Sequence, residues 1–411
     1  MISLLNTYWT RLFGGFPSVF WWLWLSTLIN WLGRFVVPFM ALYLTQEMKL
    51  EGTQVGIIIS LFGAGGLISV FVGGALSDRI GRKTTIVASH LMSAIAMCLI
   101  YMAATPYQIA VLMFCLGLVG NAAEPATKAL IADILPLEMR QRGYAANMWA
   151  VNLGYAVGPM LGAALTAYSF ALIFIANATV ILLTALIIFI FIPNNIQITA
   201  VDNENTDQPD GFRFLIKDKL FLLFIGYSFL FSLIYIQSTI SLPIILSMEG
   251  FSATDYGLLL SLNGLMLIII QMPAADFLSR FKRPFCLAIS GLIVGIGFGS
   301  HMLAHTIWAY MIGVVIWTIA EVMNMPLVAS VTADLAPRNL RGRYMGTFMA
   351  TWSASSLVAP LIAGPIIQHA GPEALWTLCI GLGVICFVGR SLMAKKLDAR
   401  LQTAVFSQYS A

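Results

Sequence analysis

The chain has 411 residues, of which 59% are hydrophobic and only 10% are charged, with a formal net charge of +4. Soluble domains carry about 25% charged residues, so a soluble protein of this composition is excluded, because it would expose too much apolar surface. The net charge says nothing about nucleic acid, because the cations lie in loops. The composition instead predicts an all-α polytopic membrane protein.

Twelve apolar runs of about 20 residues, the length that crosses a bilayer as a helix, follow one another along the chain. They fall near 18–44, 54–76, 84–104, 107–134, 142–168 and 170–192, and then near 219–247, 254–277, 284–304, 307–333, 343–368 and 371–393. The polar, acidic stretch between the two sets predicts a flexible linker. We therefore expect an N-terminal six-helix bundle over 1–192, a linker over 193–213, and a C-terminal six-helix bundle with a short tail over 214–411.

Lysine and arginine are unequally distributed between the two sides of these spans. Eighteen lie in alternate loops and at the termini, whereas only Lys49 lies in a loop of the opposite side. Because loops rich in Lys and Arg remain in the cytoplasm, this bias predicts cytoplasmic termini and a cytoplasmic linker. The expected location is the cell's inner or plasma membrane.

The two sets of spans are related by an internal repeat with a constant offset of 201 residues. The matched pairs include Gly56 and Gly257, Arg82 and Arg283, Pro125 and Pro326, Asp133 and Asp334, and Pro159 and Pro360. Apolar residues would match often by chance, but Pro, Asp and Arg residues would not. The repeat predicts two equivalent halves of six helices each.

A short charged turn joins predicted spans 2 and 3. It reads Gly74-Ala-Leu-Ser-Asp78-Arg79-Ile-Gly81-Arg82. Its glycines allow tight turning, and Asp78 with the following cations can hold a helix end in the headgroup zone. The pattern resembles the loop 2–3 signature of the major facilitator superfamily, Gly-x-x-x-Asp-Arg-x-Gly-Arg-Arg/Lys. The resemblance implies a twelve-span transporter whose two bundles rock about a central site.

Predicted span 5 carries a second motif, Gly154-x-x-x-Gly158-Pro159-x-x-Gly162-small. Small residues four positions apart let a neighbouring helix approach closely, and Pro159 removes a backbone hydrogen bond. The pattern resembles the span 5 signature of the superfamily's antiporter branch, which includes drug:proton exporters. This resemblance implies export by antiport rather than uptake.

Four ionisable residues are predicted inside spans, where a charge costs roughly 2.5–3.5 kcal/mol even on lenient insertion scales. They are Arg34 in span 1, Glu124 and Lys128 in span 4, and Glu321 in span 10. The superfamily resemblance implies that spans 1, 4, 7 and 10 line a central cavity, where these residues would meet. They are the predicted proton-coupling residues.

Glu321 lies about halfway along span 10, with Trp317 and Asn324 on the same face of the helix. An apolar cavity disfavours the charged form of a carboxyl group, so Glu321 is predicted to load a proton on one side and release it on the other. Its segment resembles the span 10 Glu-x-x-x-x-Pro sequence of some proton-coupled multidrug exporters. The alternative is a neutral structural glutamate.

Glu124 precedes Lys128 by one helical turn, the favourable order for an ion pair. Two interpretations remain open: a static pair that lowers the cost of insertion, or a switch in which Arg34 competes with Lys128 for Glu124. Asn30 and Asn121 share helix faces with Arg34 and Glu124 and are predicted to contact substrate.

Span 4 departs from the Arg-x-x-x-Gly pattern of many drug:proton antiporters. Gly117 is present, but Met113 occupies the arginine position. Either Arg34 or Lys128 supplies the cation instead, or the coupling differs.

Span 7 places Tyr227, Phe231 and Tyr235 on one helix face. Aromatic rings bind flat apolar or cationic molecules by stacking and cation–π contact. Tyr227 and Tyr235, together with Trp317 and Asn324, are therefore predicted to line a substrate site.

Four aspartates end spans beside basic loops: Asp78, Asp133, Asp276 and Asp334. The resemblance implies a gating latch for Asp78, which lies within the loop motif. For Asp276 and Asp334 we expect solvation of a helix end.

These features predict a secondary active transporter, namely a proton-coupled antiporter that exports small lipophilic or cationic molecules by alternating access. A proton-coupled uptake permease for a small metabolite and a lipid or lysophospholipid flippase are the alternatives. An enzyme is not expected, because the sequence has neither a Gly-x-x-x-x-Gly-Lys-Ser/Thr loop nor a His-Glu-x-x-His motif. We expect no cofactor, metal or nucleic acid, and a monomer whose partners are substrate, protons and the lipid bilayer.

Overall fold

A computed structural model of the chain describes residues 14–193, 211–337 and 340–409. In these ranges twelve helical stretches are long and apolar enough to cross a membrane. We number them as spans 1 to 12 in chain order. The predicted all-α polytopic class is confirmed.

The helices of spans 1–6 are Ser18–Leu32 with Val36–Gln46, Gly52–Ile80, Arg82–Met102, Pro106–Gly120 with Ala123–Ile134, Leu137–Thr166, and Phe170–Phe191. Those of spans 7–12 are Lys219–Tyr235 with Gln237–Met248, Ala253–Leu278, Arg283–Gly299, Ile307–Leu335, Arg341–Ala370, and Pro372–Tyr409. A short helix, Gly211–Lys217, precedes span 7. Most of the predicted linker, 194–210, lies outside the described residues.

Among the helices just given, three spans are interrupted near their middle. Span 1 breaks at 33–35, span 4 at 121–122, and span 7 at Ile236. The breaks in spans 1 and 7 are related by the repeat, since Ile236 stands 201 positions after Phe35. An interrupted helix frees backbone groups at membrane depth, which is tolerated where protein or a water-filled cavity satisfies them. In transporters such breaks accompany binding sites.

The described residues fall into two compact units. One contains those within Met1–Met40 and Ala64–Val201, and the other those within Ala41–Gly63 and Asp202–Ala411. The end of span 1 and the first part of span 2 thus belong to the second unit.

The first part of span 2 packs tightly on span 11 within the second unit. A Cβ atom on Gly56 would clash with the carbonyl oxygen of Pro360. Nearby, the Thr53 hydroxyl donates to Oε1 of Gln368 at 2.5 Å, and Nε2 of Gln368 donates to Oε2 of Glu51 at 2.7 Å. Close backbone approach and polar contacts to span 11 together explain why the first part of span 2 belongs to the second unit.

Each unit contains the same inter-helix ion pair. Nε of Arg82 lies 3.6 Å from Oδ2 of Asp133, and Nη1 of Arg283 lies 2.5 Å from Oδ2 of Asp334. The second pair stands 201 positions after the first. Each arginine begins one span and each aspartate ends the next, so the pair ties neighbouring helices together. The expectation that Asp334 only solvates a helix end is therefore wrong, because the neighbouring helix places Arg283 beside it.

A polar cluster fastens the start of span 7. Asp218 accepts two hydrogen bonds from Arg400, at 2.7 and 2.6 Å, one from the Tyr344 hydroxyl at 2.7 Å, and one from the Phe221 N–H at 3.1 Å. Arg400 also donates to the carbonyl oxygen of Leu335 at 3.0 Å. This cluster joins spans 7, 10, 11 and 12.

The helix of span 12 continues to Tyr409, beyond the predicted end of the apolar run at 393. Leu397 and Leu401, one helical turn apart, are buried in a cluster with Phe221 and Tyr344. One face therefore remains apolar after the mean hydropathy has fallen, and packing of that face extends the helix.

The glycine motif of span 5 lies against the break in span 1. A Cβ atom on Gly154 would come within 2.5 Å of Cβ of Trp31, and one on Gly158 within 2.9 Å of the carbonyl oxygen of Leu32. A Cβ atom on Gly162 would come within 2.8 Å of Cβ of Phe35. Pro159 lies inside the same helix. Span 1 thus approaches span 5 closely only because these positions lack side chains.

We expect Gly154→Ala to destabilise the protein by about 1–3 kcal/mol, the usual cost of overpacking. Gly226→Ala is the matched control, because a Cβ atom there would meet nothing within 4 Å. Thermal unfolding in detergent measures both. Equal unfolding temperatures for the two variants would contradict this account of the motif.

A second prediction concerns Asp218. Burial alone would raise the pKa of its carboxyl group, but hydrogen bonds from Arg400, Tyr344 and the Phe221 N–H outweigh burial and hold the pKa below its usual value. A carboxyl group whose pKa is lowered by folding stabilises the folded state above its unfolded pKa of about 4, and this contribution disappears as the pH falls through the folded pKa.

Asp218→Asn should therefore cost about 1–3 kcal/mol at pH 7, and the difference from the wild type should shrink in the acid range. Thermal unfolding between about pH 7 and pH 3 measures this. Asp398→Asn is the control, because its partner Lys282 is 77% exposed and such pairs contribute little. A deficit independent of pH would refute the charge-based explanation.

Candidate functional site

Glu321 of span 10 is buried among three spans of the second unit and is only 8% exposed. Its Oε1 accepts a hydrogen bond from the Tyr235 hydroxyl of span 7 at 2.8 Å. Its Oε2 accepts one from Nδ2 of Asn263 of span 8, also at 2.8 Å. Within the described residues no cation lies at ion-pair distance from this carboxyl group. Its immediate partners are therefore neutral.

These surroundings suit both protonation states of Glu321. The ionised carboxylate accepts from Tyr235 and from Asn263. The protonated acid needs an acceptor, and a tyrosine hydroxyl can accept as well as donate. Oδ1 of Asn263 is buried without a hydrogen-bond partner in the described part of the chain, and rotation of the amide would offer it as a second acceptor. The hydrogen-bond partners can thus accommodate either protonation state through small side-chain rotations.

Aromatic rings hold Tyr235 in place. Its ring stands edge-on to Trp317 at 5.6 Å and to Trp352 at 5.5 Å between centroids. Trp317 in turn stacks on Phe298 at 5.5 Å. The structure therefore brings together Tyr235, Trp317 and Glu321, three of the residues singled out from the sequence.

Asn263 and Trp352 are part of this group but were not found from the sequence. They lie on spans 8 and 11, which the family resemblance does not place at the cavity. Asn263 did carry a signal, since an amide inside an apolar run is costly unless it is hydrogen-bonded. It also donates toward the Thr318 hydroxyl at 3.0 Å.

In the first unit, Arg34 lies in the break of span 1. Its Nη2 donates to Oδ1 of Asn121, in the break of span 4, at 3.4 Å, and its guanidinium lies 4.8 Å from the centre of the Trp31 ring. Asn121 also donates to the carbonyl oxygen of Gly117 at 2.9 Å. The two breaks thus meet through a polar contact. Asn30 is half-buried nearby on span 1.

The repeat relates this contact to the Glu321 site. Tyr235 stands 201 positions after Arg34, and each donates to the partner helix of its own half. The acceptors differ, because Glu321 corresponds to Gly120, the neighbour of Asn121. The same helix crossing therefore carries a cation in one half and an acid in the other.

Glu124 and Lys128 form an ion pair at 2.9 Å, and their side chains are 46% and 47% exposed. Arg34 contacts Asn121 instead. The observed contact is that of the static interpretation, and competition of Arg34 for Glu124 stays a prediction.

The loop motif forms a turn of one residue. Gly81 alone separates the helices of spans 2 and 3, with φ +90°, a conformation that side chains disfavour. Arg82 donates to the Ser77 hydroxyl at 3.1 Å besides pairing with Asp133, and Arg79 is exposed. The surroundings of Gly74 and Asp78 lie outside the described residues, so the latch role of Asp78 stays a prediction.

Two of the predicted substrate residues face span 12. The Tyr227 ring packs against Gly389, and Oδ1 of Asn324 accepts a hydrogen bond from Arg390 at 2.8 Å. Arg390 is a further ionisable residue inside a span, and it is 2% exposed. Sequence analysis missed it because it lies near the predicted end of span 12, where a long cationic side chain usually reaches the interface.

Comparison with known proteins supports the family resemblance. The family model described as Major Facilitator Superfamily matches residues 23–252 and 229–404. The chain is 25% identical over 358 residues to the Na(+), Li(+), K(+)/H(+) antiporter of Planococcus maritimus, covering 79% of this chain and 84% of the relative. It is 26% identical over 372 residues to the multidrug resistance protein MdtH of Salmonella typhimurium, covering 87% and 89% respectively.

Solved structures of transporters share the fold. The chain is similar to the nucleoside transporter NupG with a TM-score of 0.80 at 13% identity, covering 92% of this chain and all of that one. It is also similar to a peptide transporter, POT, in complex with alafosfalin, with a TM-score of 0.78 at 16% identity and coverage of 94% and 96%. At such identities the likeness concerns the fold alone. Since the family match extends over both halves, the chain belongs to the Major Facilitator Superfamily of membrane transporters.

Proposed function

We propose that this transporter is a proton-coupled antiporter that exports small lipophilic or cationic molecules by alternating access, with Glu321 as its proton carrier. The observation that carries the proposal is the burial of Glu321 with Tyr235 and Asn263 as neutral partners. The names of the relatives, an antiporter and a multidrug resistance protein, support it. The Lys and Arg bias supports an inner or plasma membrane location with cytoplasmic termini.

In the proposed cycle Glu321 takes up a proton while its site faces outward and releases it to the cytoplasm when substrate binds. One proton moving inward down 100 mV supplies about 2.3 kcal/mol, which sustains roughly a fifty-fold gradient of a neutral substrate. Export of a monovalent cation against the same potential costs as much, so one-for-one exchange of a proton for such a cation is driven by the pH gradient alone.

Within the second unit we assign substrate contact to Tyr235 and Trp317. We do not assign it to Asn324, which Arg390 already engages, or to Tyr227, whose ring packs against Gly389. Asn30 and Asn121 of the first unit stay predicted substrate contacts.

Glu321→Gln should abolish proton-driven export, because glutamine has the size of glutamate and the donor-and-acceptor pattern of its protonated form but cannot release a proton. The measurement is efflux of a lipophilic cationic dye from cells, with and without a protonophore. We expect at least a tenfold loss of protonophore-sensitive efflux. Glu321→Gln that still exports dye in a protonophore-sensitive manner would exclude Glu321 as the carrier.

Glu249→Gln is the matched control for this measurement. Glu249 also accepts a hydrogen bond from a tyrosine, Tyr310, at 2.9 Å, but it caps the end of span 7. Its replacement should leave efflux close to the wild-type rate. A comparable loss in both variants would indicate a general effect of removing an acid.

Exchange of a monovalent cation for protons is a second candidate. It is supported by the Planococcus relative, named a Na(+), Li(+), K(+)/H(+) antiporter, and by the unpartnered Oδ1 of Asn263 beside the Glu321 carboxylate. In everted vesicles with an acid interior, addition of NaCl, LiCl or KCl would dissipate the pH gradient if the cation is the substrate. Dissipation by a lipophilic cation alone would favour drug export.

A further inference from the structure

Arg390 of span 12 is a buried cation that has no acidic partner among the residues that the structure describes. None of the ion pairs found among the described residues includes it. Its Nη1 donates to the carbonyl oxygen of Leu287 at 2.7 Å and to Oδ1 of Asn324 at 2.8 Å. Its Nη2 donates to the Ser228 hydroxyl at 3.5 Å. A charge inside a bilayer is costly and usually functional, so apolar packing does not account for an arginine here.

The partners of Arg390 lie on three other helices. Ser228 belongs to span 7, Leu287 to span 9 and Asn324 to span 10. The planar guanidinium with its fixed fork of donors can reach several acceptors at once, which a single ammonium group cannot do. The guanidinium also lies 5.8 Å from the centre of the Phe231 ring on span 7. Arg390 therefore joins spans 7, 9, 10 and 12.

Two of these contacts lie one helical turn from the proton site. Asn324 follows Glu321 by three positions on span 10, and Phe231 precedes Tyr235 by four positions on span 7. Residues three and four apart are neighbours on a helix. Arg390 thus contacts both helices that form the hydrogen bond from Tyr235 to Glu321.

We infer that Arg390 is a positioning residue of the proton site: it fixes spans 7 and 10 in the register in which the Tyr235 hydroxyl reaches Glu321. The inference rests on the proposed role of Glu321 as proton carrier. It assigns to Arg390 an effect on proton release and no contact with substrate.

Few titratable groups surround Arg390 in the described structure. Cys386 lies on the same helix with its Sγ 3.6 Å from the carbonyl oxygen of Tyr227, whose ring packs against Gly389. Cysteine and tyrosine ordinarily titrate well above neutral pH. The groups that spans 9 and 10 present to Arg390 are a carbonyl, a serine hydroxyl and an amide. The second member of the proton site, Tyr235, is likewise a phenol.

The test is the pH dependence of proton-driven efflux in four proteins: the wild type, Tyr235→Phe, Arg390→Lys, and the double variant. Tyr235→Phe removes a hydrogen bond to the ionised carboxylate, so the pH midpoint of efflux should move about one unit toward alkaline pH. Arg390→Lys retains the charge but loses the planar set of donors that reaches several acceptors at once, and it should shift the midpoint in the same direction. The double variant should shift no further than Tyr235→Phe, because the bond is already lost.

Arg400→Lys is the matched control. Arg400 lies on the same helix and also links spans 7, 10 and 12, but at the end of the helices. Its replacement should lower the unfolding temperature and leave the pH midpoint unchanged. An equal midpoint shift in Arg400→Lys would show that weakening any arginine contact between these spans has this effect, and the inference would fail.

An unshifted midpoint in Arg390→Lys, or additive shifts in the double variant, would overturn the inference. If Arg390→Lys does not accumulate in the membrane, Asn324→Ala replaces it, because it removes the link on span 10 and leaves Arg390 in place. An unshifted midpoint in Asn324→Ala would then overturn the inference. Glu321→Gln separates the two proposals: retained proton-driven efflux refutes the carrier role, whereas lost efflux with unshifted Arg390→Lys refutes the positioning role alone.

Discussion

A polar side chain inside a span has to find its partners within the protein or in a water-filled cavity, because the lipid offers no hydrogen bonds. This constraint explains which helices meet in the second unit. Spans 7 and 8 reach span 10 at Glu321, where a phenol and an amide satisfy the carboxyl group. Spans 7, 9 and 10 reach span 12 at Arg390, where a carbonyl, an amide and a hydroxyl accept its protons.

The two halves of the repeat share residues at the helix ends but differ at the helix centres. At the ends the chemistry is the same in both halves, since Arg82 pairs with Asp133 and Arg283 with Asp334. At the centres the chemistry has diverged, since a span 1 arginine corresponds to Tyr235. In each half an ion pair at the helix ends holds two neighbouring helices together, so the two pairs have the same structural role. A proton-coupled antiporter, the function proposed above, would need its proton site once, and a centre that differs between halves is consistent with that proposal.

Fold class, spans and family could be predicted because they depend on local composition, on hydrophobic length and on motifs of fixed spacing. The interruptions in spans 1, 4 and 7 could not, since the apolar composition continues across them. The pairing of Asp334 with Arg283 and the role of Asn263 depend on which helices are neighbours, and hydropathy does not contain that information. Arg390 was missed for a related reason. The helix of span 12 continues beyond the end of its apolar run, so a residue near the end of that run lies inside the helix and not at its end.

The buried arginine also has a consequence for the order in which the protein enters the membrane. An arginine at the centre of a span raises the free energy of inserting an isolated helix by about 2.5–3.5 kcal/mol, which sets an upper limit for Arg390. All three helices that accept hydrogen bonds from Arg390 precede span 12 in the chain, so they have been synthesised before it emerges. The final helix can therefore offset its insertion cost by docking on helices already present. Biogenesis of this transporter should end with the assembly of the second unit around span 12, rather than with independent entry of a last hydrophobic segment.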